Sequence, residues 1–252
     1  MGKFLGVLGG FVSLASVFFV AVAVGDLFGG DPETSTGVLN PLQEISEVVG
    51  RHDDVLLLVD AVSAMTAVEL PIDDWGIDVA LAGIQKAFGC PPGLVLFTVS
   101  DRAMARSAGR ESKGFYLDFE VYDKNDRKNQ TITTPAISQM YALDHVLDLL
   151  LAEGMENVFE RHRVMSRIGR RWASDRLSLF GDPDHVSPAL TCVDATEEDI
   201  PGLMAYMVEN GITLGGGYGK LKPSTFRISH MGRATPAILE EALTLIDRFL
   251  DR

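Results

Sequence analysis

The chain has 252 residues, 46% of them hydrophobic and 23% charged, and carries a formal net charge of −13. That suits one large or two smaller globular domains with real cores. So acidic a surface repels phosphate backbones, which argues against nucleic acid as a partner while permitting one phosphorylated ligand in a local pocket. Two cysteines without C-x-x-C spacing and five scattered histidines offer neither a disulfide framework nor a metal-ligand pattern, so a cytoplasmic setting and no metal are expected.

In chain order, residues 1–30 read as a separate apolar segment. Phe4 to Val24 contains no charge, Lys3 precedes it, and the run is long enough to cross a bilayer as a helix. Ala21-Val22-Ala23 also resembles a signal-peptidase site. Membrane anchoring or export through residues 4–24 therefore stands beside burial in a core as an expectation for this stretch. Gly29-Gly30-Asp31-Pro32 marks its boundary.

Residues 31–144 alternate helix and strand signals. Pro41–Val49 reads as a short amphipathic helix, followed by the apolar runs Val55–Val59, Val79–Ala82 and Leu94–Val99. Such runs suit strands buried on both faces, and interleaved with helices they predict an α/β domain with a mainly parallel sheet. Residues 145–252 read as a smaller α/β domain. Helices are expected over Ser138–Ala152, stopped near Gly154, and over Val158–Leu177. A strand follows at Pro188–Val193, then a helix opened by Thr196 and Asp199 and running to Val208. A strand at Thr225–Ser229 and a helix at Ala237–Leu250, capped by Thr235-Pro236, complete the chain.

Several residues carry chemistry. Asp60 ends an apolar run, at the end of a buried strand where open α/β sheets form ligand crevices. A carboxylate there needs a cationic or hydrogen-bonding partner, although in isolation capping of the next turn, Ala61-Val62-Ser63, explains it better. Lys86 follows the Val79–Ala82 run by a few residues, one βαβ-sized step after Asp60, so adjacent strand ends can place both in one crevice. Alone it would be a surface lysine. Glu33-Thr34-Ser35-Thr36-Gly37 could bond a phenolic oxygen or a phosphate, or be an ordinary turn. Arg227 alternates with apolar residues; it is either a solvent-facing arginine or a planar fork for a carboxylate. Gly215-Gly216-Gly217-Tyr218-Gly219 lacks the G-K-[ST] ending of a phosphate loop and reads as a turn. An amine and a carboxylate at opposite ends of one flat pocket suit pyridoxal 5′-phosphate, whose aldehyde condenses with the amine and whose ring nitrogen pairs with the carboxylate.

At this point the chain resembles the class-V, fold-type-I aminotransferases of the alanine–glyoxylate and serine–pyruvate group. The resemblance is carried, in order, by Glu33 to Pro41, Leu57 to Ser63, Trp75-Gly76-Ile77-Asp78, Gly83 to Ala87 with Pro91-Pro92-Gly93, Thr134 to Ser138, and Phe226-Arg227-Ile228. It implies a large domain with a mainly parallel sheet, here incomplete, plus a smaller C-terminal domain. The implied cofactor is pyridoxal 5′-phosphate, bonded to Lys86. By the same resemblance Asp60 holds the pyridine nitrogen, Val62 packs on the ring, and Thr34 and Gln85 contact the cofactor. Arg227 grips the substrate α-carboxylate. Thr133, or Thr134, reaches the phosphate of a neighbouring subunit in a homodimer, and Gln130 stands where some members have a tyrosine. The implied reaction moves an amino group between a small amino acid, alanine or serine, and a 2-oxo acid, glyoxylate or pyruvate. Arg102 and Arg106 suit an exposed helix face, and with no second cation in a motif to hold a distal carboxylate, small neutral substrates are expected. Residues 1–32 show no phosphate loop, so a truncated, inactive, partner-dependent or membrane-tethered relative is the alternative expectation.

Overall fold

The computed structural model describes residues 36–108, 110–111 and 113–252, together with the backbone of residues 19–23. Two four-stranded sheets organise them. The first runs β1 (Phe19–Ala23), β2 (Leu56–Asp60), β3 (Val79–Gly83) and β4 (Val95–Val99), in that order. Strands β1, β2 and β3 are parallel, and β4 joins β3 antiparallel. Helix α1 (Leu42–Val49) covers one face; α2 (Asp101–Ala108) and α3 (Phe119–Asp126) follow β4.

The apolar run in β2 faces two ways because successive side chains alternate across a strand. Leu57 and Val59 pack with Leu42 and Val49 of α1. Leu56 packs with Phe97 and Tyr122 on the other face, where the Phe97 and Tyr122 rings meet edge to face at 5.3 Å. β1 gives residues 19–23, within the apolar segment Phe4–Val24, a place beside β2. Residues 4–18 lie outside the described residues, and no described helix is long and apolar enough to cross a membrane.

The second sheet, entirely antiparallel, orders β5 (Ser178–Leu179), β6 (Leu190–Asp194), β8 (Thr225–Ser229) and β7 (Gly215–Gly216). Two long helices lead into it, α4 (Ile137–Glu153) and α5 (Met155–Arg176), joined at Gly154, whose φ of 84° suits glycine. Helix α6 (Ile200–Glu209) is capped by Asp199 rather than Thr196: its carboxylate accepts from the Gly202 N–H at 3.0 Å. Helix α7 (Pro236–Leu250) starts at Thr235, as its sequence predicts. Met165, Leu203, Met207, Phe226 and Ile246 form the centre of this core.

One buried carboxylate ties the first sheet together. Asp78, just before β3, is 2% exposed. It accepts from the Leu57 N–H at 2.9 Å, from Ser100 Oγ at 2.7 Å and from both Nε and Nη2 of Arg102. Burial alone would raise its pKa, but the hydrogen bonds from Arg102, Ser100 and Leu57 outweigh burial and hold it below the usual carboxylate range.

Two histidines are buried between α5 and the second sheet, His162 and His230, at 1% and 0% exposure. His162 Nδ1 bonds the Val158 carbonyl at 2.7 Å and His230 Nε2 meets Thr191 Oγ1 at 3.0 Å. Burial, and then the neighbouring His162, pull the His230 pKa down to about 4 from 6.5, against a weaker pull from the Pro188 carbonyl. A group kept neutral by the fold binds its proton more readily in the unfolded chain. Its stabilising contribution is therefore present above pH 6.5 and is lost as pH falls toward 4. The thermal midpoint is expected to drop through this window in the wild type and to drop less in His230→Gln, measured by circular dichroism; parallel profiles would contradict it.

Candidate active site

The crevice expected at the carboxyl ends of β2 and β3 is bounded by Asp60 and the Lys86 turn. β2 ends in Asp60, which pairs in register with Leu81 of β3, and the ladder continues through the Ala61 N–H to the Leu81 carbonyl at 2.8 Å. β3 ends at Gly83 and the chain turns tightly through Lys86 to Gly89. The Lys86 N–H donates to the Gly83 carbonyl at 3.4 Å and the Gly89 N–H to the Lys86 carbonyl at 2.9 Å. The turn returns half-buried Lys86 toward Asp60, and the two side chains lie within electrostatic reach.

Asp60 is strained electrostatically. Burial raises its pKa, and the Val62 N–H, at 2.9 Å, and then the Lys86 charge oppose that only in part. Val62 supplies the single hydrogen bond that Asp60 accepts among the described residues. A desolvated carboxylate so placed is relieved by one more donor, best of all a cationic N–H. Gln85 is exposed and folds its amide back over Gly83: a Cβ on Gly83 would stand 2.6 Å from Gln85 Oε1. Glycine is required there for Gln85 to lie in that position.

The second sheet is joined to this crevice at two places. Gly89 and Gly232, both at positive φ, touch so closely that a Cβ on Gly232 would come 3.0 Å from the Gly89 Cα. Gly232 and Ala234 both receive Arg161 Nη1 on their carbonyls, at 3.0 and 2.8 Å, and Ala87 packs with Ala189 and Met231. The other junction is Thr36 to Leu39. The Gly37 carbonyl accepts from the Ser187 N–H at 2.7 Å, and a Cβ on Gly37 would stand 3.3 Å from Cys192 Cβ. Cys192 of β6 lies opposite Arg227 of β8. The chain following the Glu33–Gly37 motif thus runs past the strand beside Arg227; Thr34 itself lies outside the described residues.

Arg227 is half-buried, and its Nε donates to the Gly216 carbonyl at 2.8 Å. Thr133 and Thr134 are exposed and line a different concavity of about 300 Å³ with Tyr116, Gln130 and Pro135, which shares no residue with the Asp60–Lys86 crevice. A larger cavity of about 490 Å³ opens at the other end of the strands, around Leu57, Trp75 and Asp78. Arg102 belongs to that end through Asp78, and Arg106 donates to the Asp54 carbonyl at 2.9 Å. Sequence reasoning quotes Asp78 only within the Trp75–Asp78 motif and gives it no role. The signal available was an acid immediately before an apolar strand, with a serine and an arginine immediately after the next one.

Residues 30–235 match the aminotransferase class-V family. The small subunit of a soluble hydrogenase from Synechococcus sp. is 39% identical over 204 residues, covering 79% of this chain and 53% of that protein. Alanine–glyoxylate aminotransferase from Oryctolagus cuniculus is 34% identical over 222 residues, covering 82% of this chain and 55% of its own length. The crystal structure of alanine–glyoxylate aminotransferase from Nostoc sp. superposes with a TM-score of 0.83 at 29% identity, covering 92% of this chain and 61% of that one. The chain spans about half the length of the curated relatives it matches. The solved neighbours have the fold-type-I architecture, and class-V aminotransferases use pyridoxal 5′-phosphate. The chain belongs to the class-V aminotransferase family.

Proposed function

We propose that these residues build one half of a transaminase site that moves an amino group between a small neutral amino acid, such as alanine or serine, and a 2-oxo acid such as glyoxylate or pyruvate. The observation that carries the reading is the placement of Asp60 and Lys86 at the carboxyl ends of adjacent parallel strands, within electrostatic reach of each other. The chemistry of these groups fits pyridoxal 5′-phosphate: a desolvated carboxylate short of a donor faces a half-buried amine. When bound, that cofactor supplies an aldehyde for an amine and a cationic ring that accepts electrons released at the amino acid α-carbon.

In this reading Asp60 accepts the ring N–H, which relieves its desolvation and keeps the proton on the nitrogen. Val62 holds Asp60 through its N–H and packs on the ring. Lys86 Nζ provides the amine, then takes the α-proton and returns it. Thr34 and Gln85 orient the ring through hydrogen bonds, and Arg227 receives the substrate α-carboxylate. The pairing of Arg102 with Asp78 at the far end of the sheet supports a small substrate, because neither Arg102 nor Arg106 stands in the crevice.

The reading includes a homodimer. Only Leu150 of α4 is buried, while Ile137, Met140, Tyr141, Leu147 and Leu151 are exposed, Tyr141 at 73% and Leu151 at 71%. An apolar face of this extent is covered in solution by another surface. It starts directly after Thr133 and Thr134, so a second copy seated on α4 carries Thr133 toward its neighbour's crevice. β4 has no neighbour on its outer side among the described residues.

Titration with pyridoxal 5′-phosphate is expected to produce the absorbance band of a lysine-bound cofactor. Lys86→Ala should abolish it, and Asp60→Asn should weaken binding about tenfold or more, the worth of one charge-assisted hydrogen bond. An unchanged band in Lys86→Ala would refute the assignment. Sedimentation is expected to show a dimer that Tyr141→Arg with Leu151→Arg converts to monomer; a wild-type monomer that binds cofactor tightly would refute the dimer.

A further inference from the structure

The glycine run before Arg227 contains two adjacent positions that differ sharply. Gly215 stands directly opposite Arg227 in the β7–β8 ladder and Gly216 stands opposite Phe226. Opposed residues in antiparallel strands normally place their Cβ atoms about 4.5–5.5 Å apart on one face. A Cβ on Gly215 would stand only 3.3 Å from Arg227 Cβ, 3.4 Å from Nε and 3.5 Å from Nη2. The guanidinium lies across the space that a side chain at 215 would fill. A Cβ on Gly216 would meet nothing within 4 Å, although the Gly216 carbonyl holds Arg227 Nε at 2.8 Å. Neither glycine has the positive φ that bars other residues. Substitution at either position therefore acts through the added side chain, not through backbone strain.

We propose that Gly215 is a positioning residue: by lacking a Cβ it seats the Arg227 guanidinium against β7, in the orientation that receives the α-carboxylate of a small amino or oxo acid. This rests on the proposed carboxylate role of Arg227 and assigns the orientation of that group to the glycine strand. Two constraints define the seat. The Gly216 carbonyl anchors the Nε edge, which fixes the guanidinium plane. The empty side of Gly215 lets the plane lie flat over the strand. A methyl at 215 requires Arg227 to give by a few tenths of an ångström. A branched side chain there drives the guanidinium off the strand and breaks the bond to Gly216. Misplacing a binding group by about 1 Å can cost a hundredfold.

The test uses the full chain, with pyruvate as the carboxylate probe and the arginine Nε–H region of the NMR spectrum as a ligand-independent readout. In the wild type a dispersed Nε–H resonance that disappears in Arg227→Lys identifies the seated guanidinium. Gly215→Val is expected to move that resonance to the solvent-exposed position and to raise the pyruvate Kd about tenfold or more. Gly215→Ala should do the same to a smaller degree, about twofold to fivefold, with an unchanged thermal midpoint. Tyr218→Ala, at an exposed residue of the same loop, should leave both readouts as in the wild type. The proposal is overturned if Gly215→Val keeps the wild-type resonance and affinity, or if Tyr218→Ala loses as much as Gly215→Val. If Arg227→Lys binds pyruvate as well as the wild type, or the wild type binds none, the carboxylate role of Arg227 fails and the proposal falls with it.

Discussion

The Asp78 carboxylate is the constraint on which the rest of the first layer depends. It accepts from the backbone near the start of β2, from Ser100 just beyond β4 and from Arg102 in α2, so one side chain ties three strands and a helix at one end of the sheet. Removing a partner from such a buried charge typically costs about 3–5 kcal/mol, because the remaining charge has no water to return to; the partial exposure of Arg102 places this pair toward the lower figure. The effect at the opposite end is chemical. With β2 and β3 held in register, the strands finish together, and Asp60 and the Lys86 turn face one crevice. The Asp78 contacts lie at the amino ends of β2 and β3, and the desolvated Asp60 carboxylate lies at their carboxyl ends.

The second layer completes the neighbourhood through contacts that only glycine permits. The Gly89–Gly232 approach lets the loop after β8 rest on the lysine turn, and Arg161 fastens that loop by its carbonyls. Gly37 lets the segment behind the Glu33–Gly37 motif lie on β6, one strand from Arg227. Groups far apart in sequence are thereby gathered by backbone contacts rather than by side-chain pairs. This is why the site depends on glycines whose own chemistry is nil.

Much of this was readable from residue pattern. The runs Val55–Val59, Val79–Ala82, Leu94–Val99 and Thr225–Ser229 match β2, β3, β4 and β8 to within a residue or so, because buried strands need unbroken apolar stretches. Strand direction was not readable: nothing in Leu94–Val99 distinguishes antiparallel β4 from its parallel neighbours, and the second sheet is antiparallel throughout. The apolar stretch ending at Val24 is ambiguous for the same reason. A uniform run has no period to separate helix from strand, and residues 19–23 are a strand. The pairing of Asp78 with Arg102 escaped because each looks ordinary alone, an acid in a loop and a base on a helix, and their partnership exists only after β3 and β4 pair. The proximity of Asp60 and Lys86 was legible because both follow strands of one sheet, where topology alone brings the ends together. Residue 215 could not be distinguished from 216 without the register that sets one of them against Arg227.

In the proposed site the β2–β3 strand ends present Lys86 as the amine that binds a carbonyl. Trapping reads this: the purified chain is incubated with excess pyridoxal 5′-phosphate, reduced with borohydride, digested and mapped by mass spectrometry. Trapping registers even weak occupancy. A phosphopyridoxyl label concentrated on Lys86 and reduced in Asp60→Asn is expected. A label spread evenly over Lys113, Lys124, Lys128, Lys220 and Lys222, with Lys86 unfavoured, would contradict it.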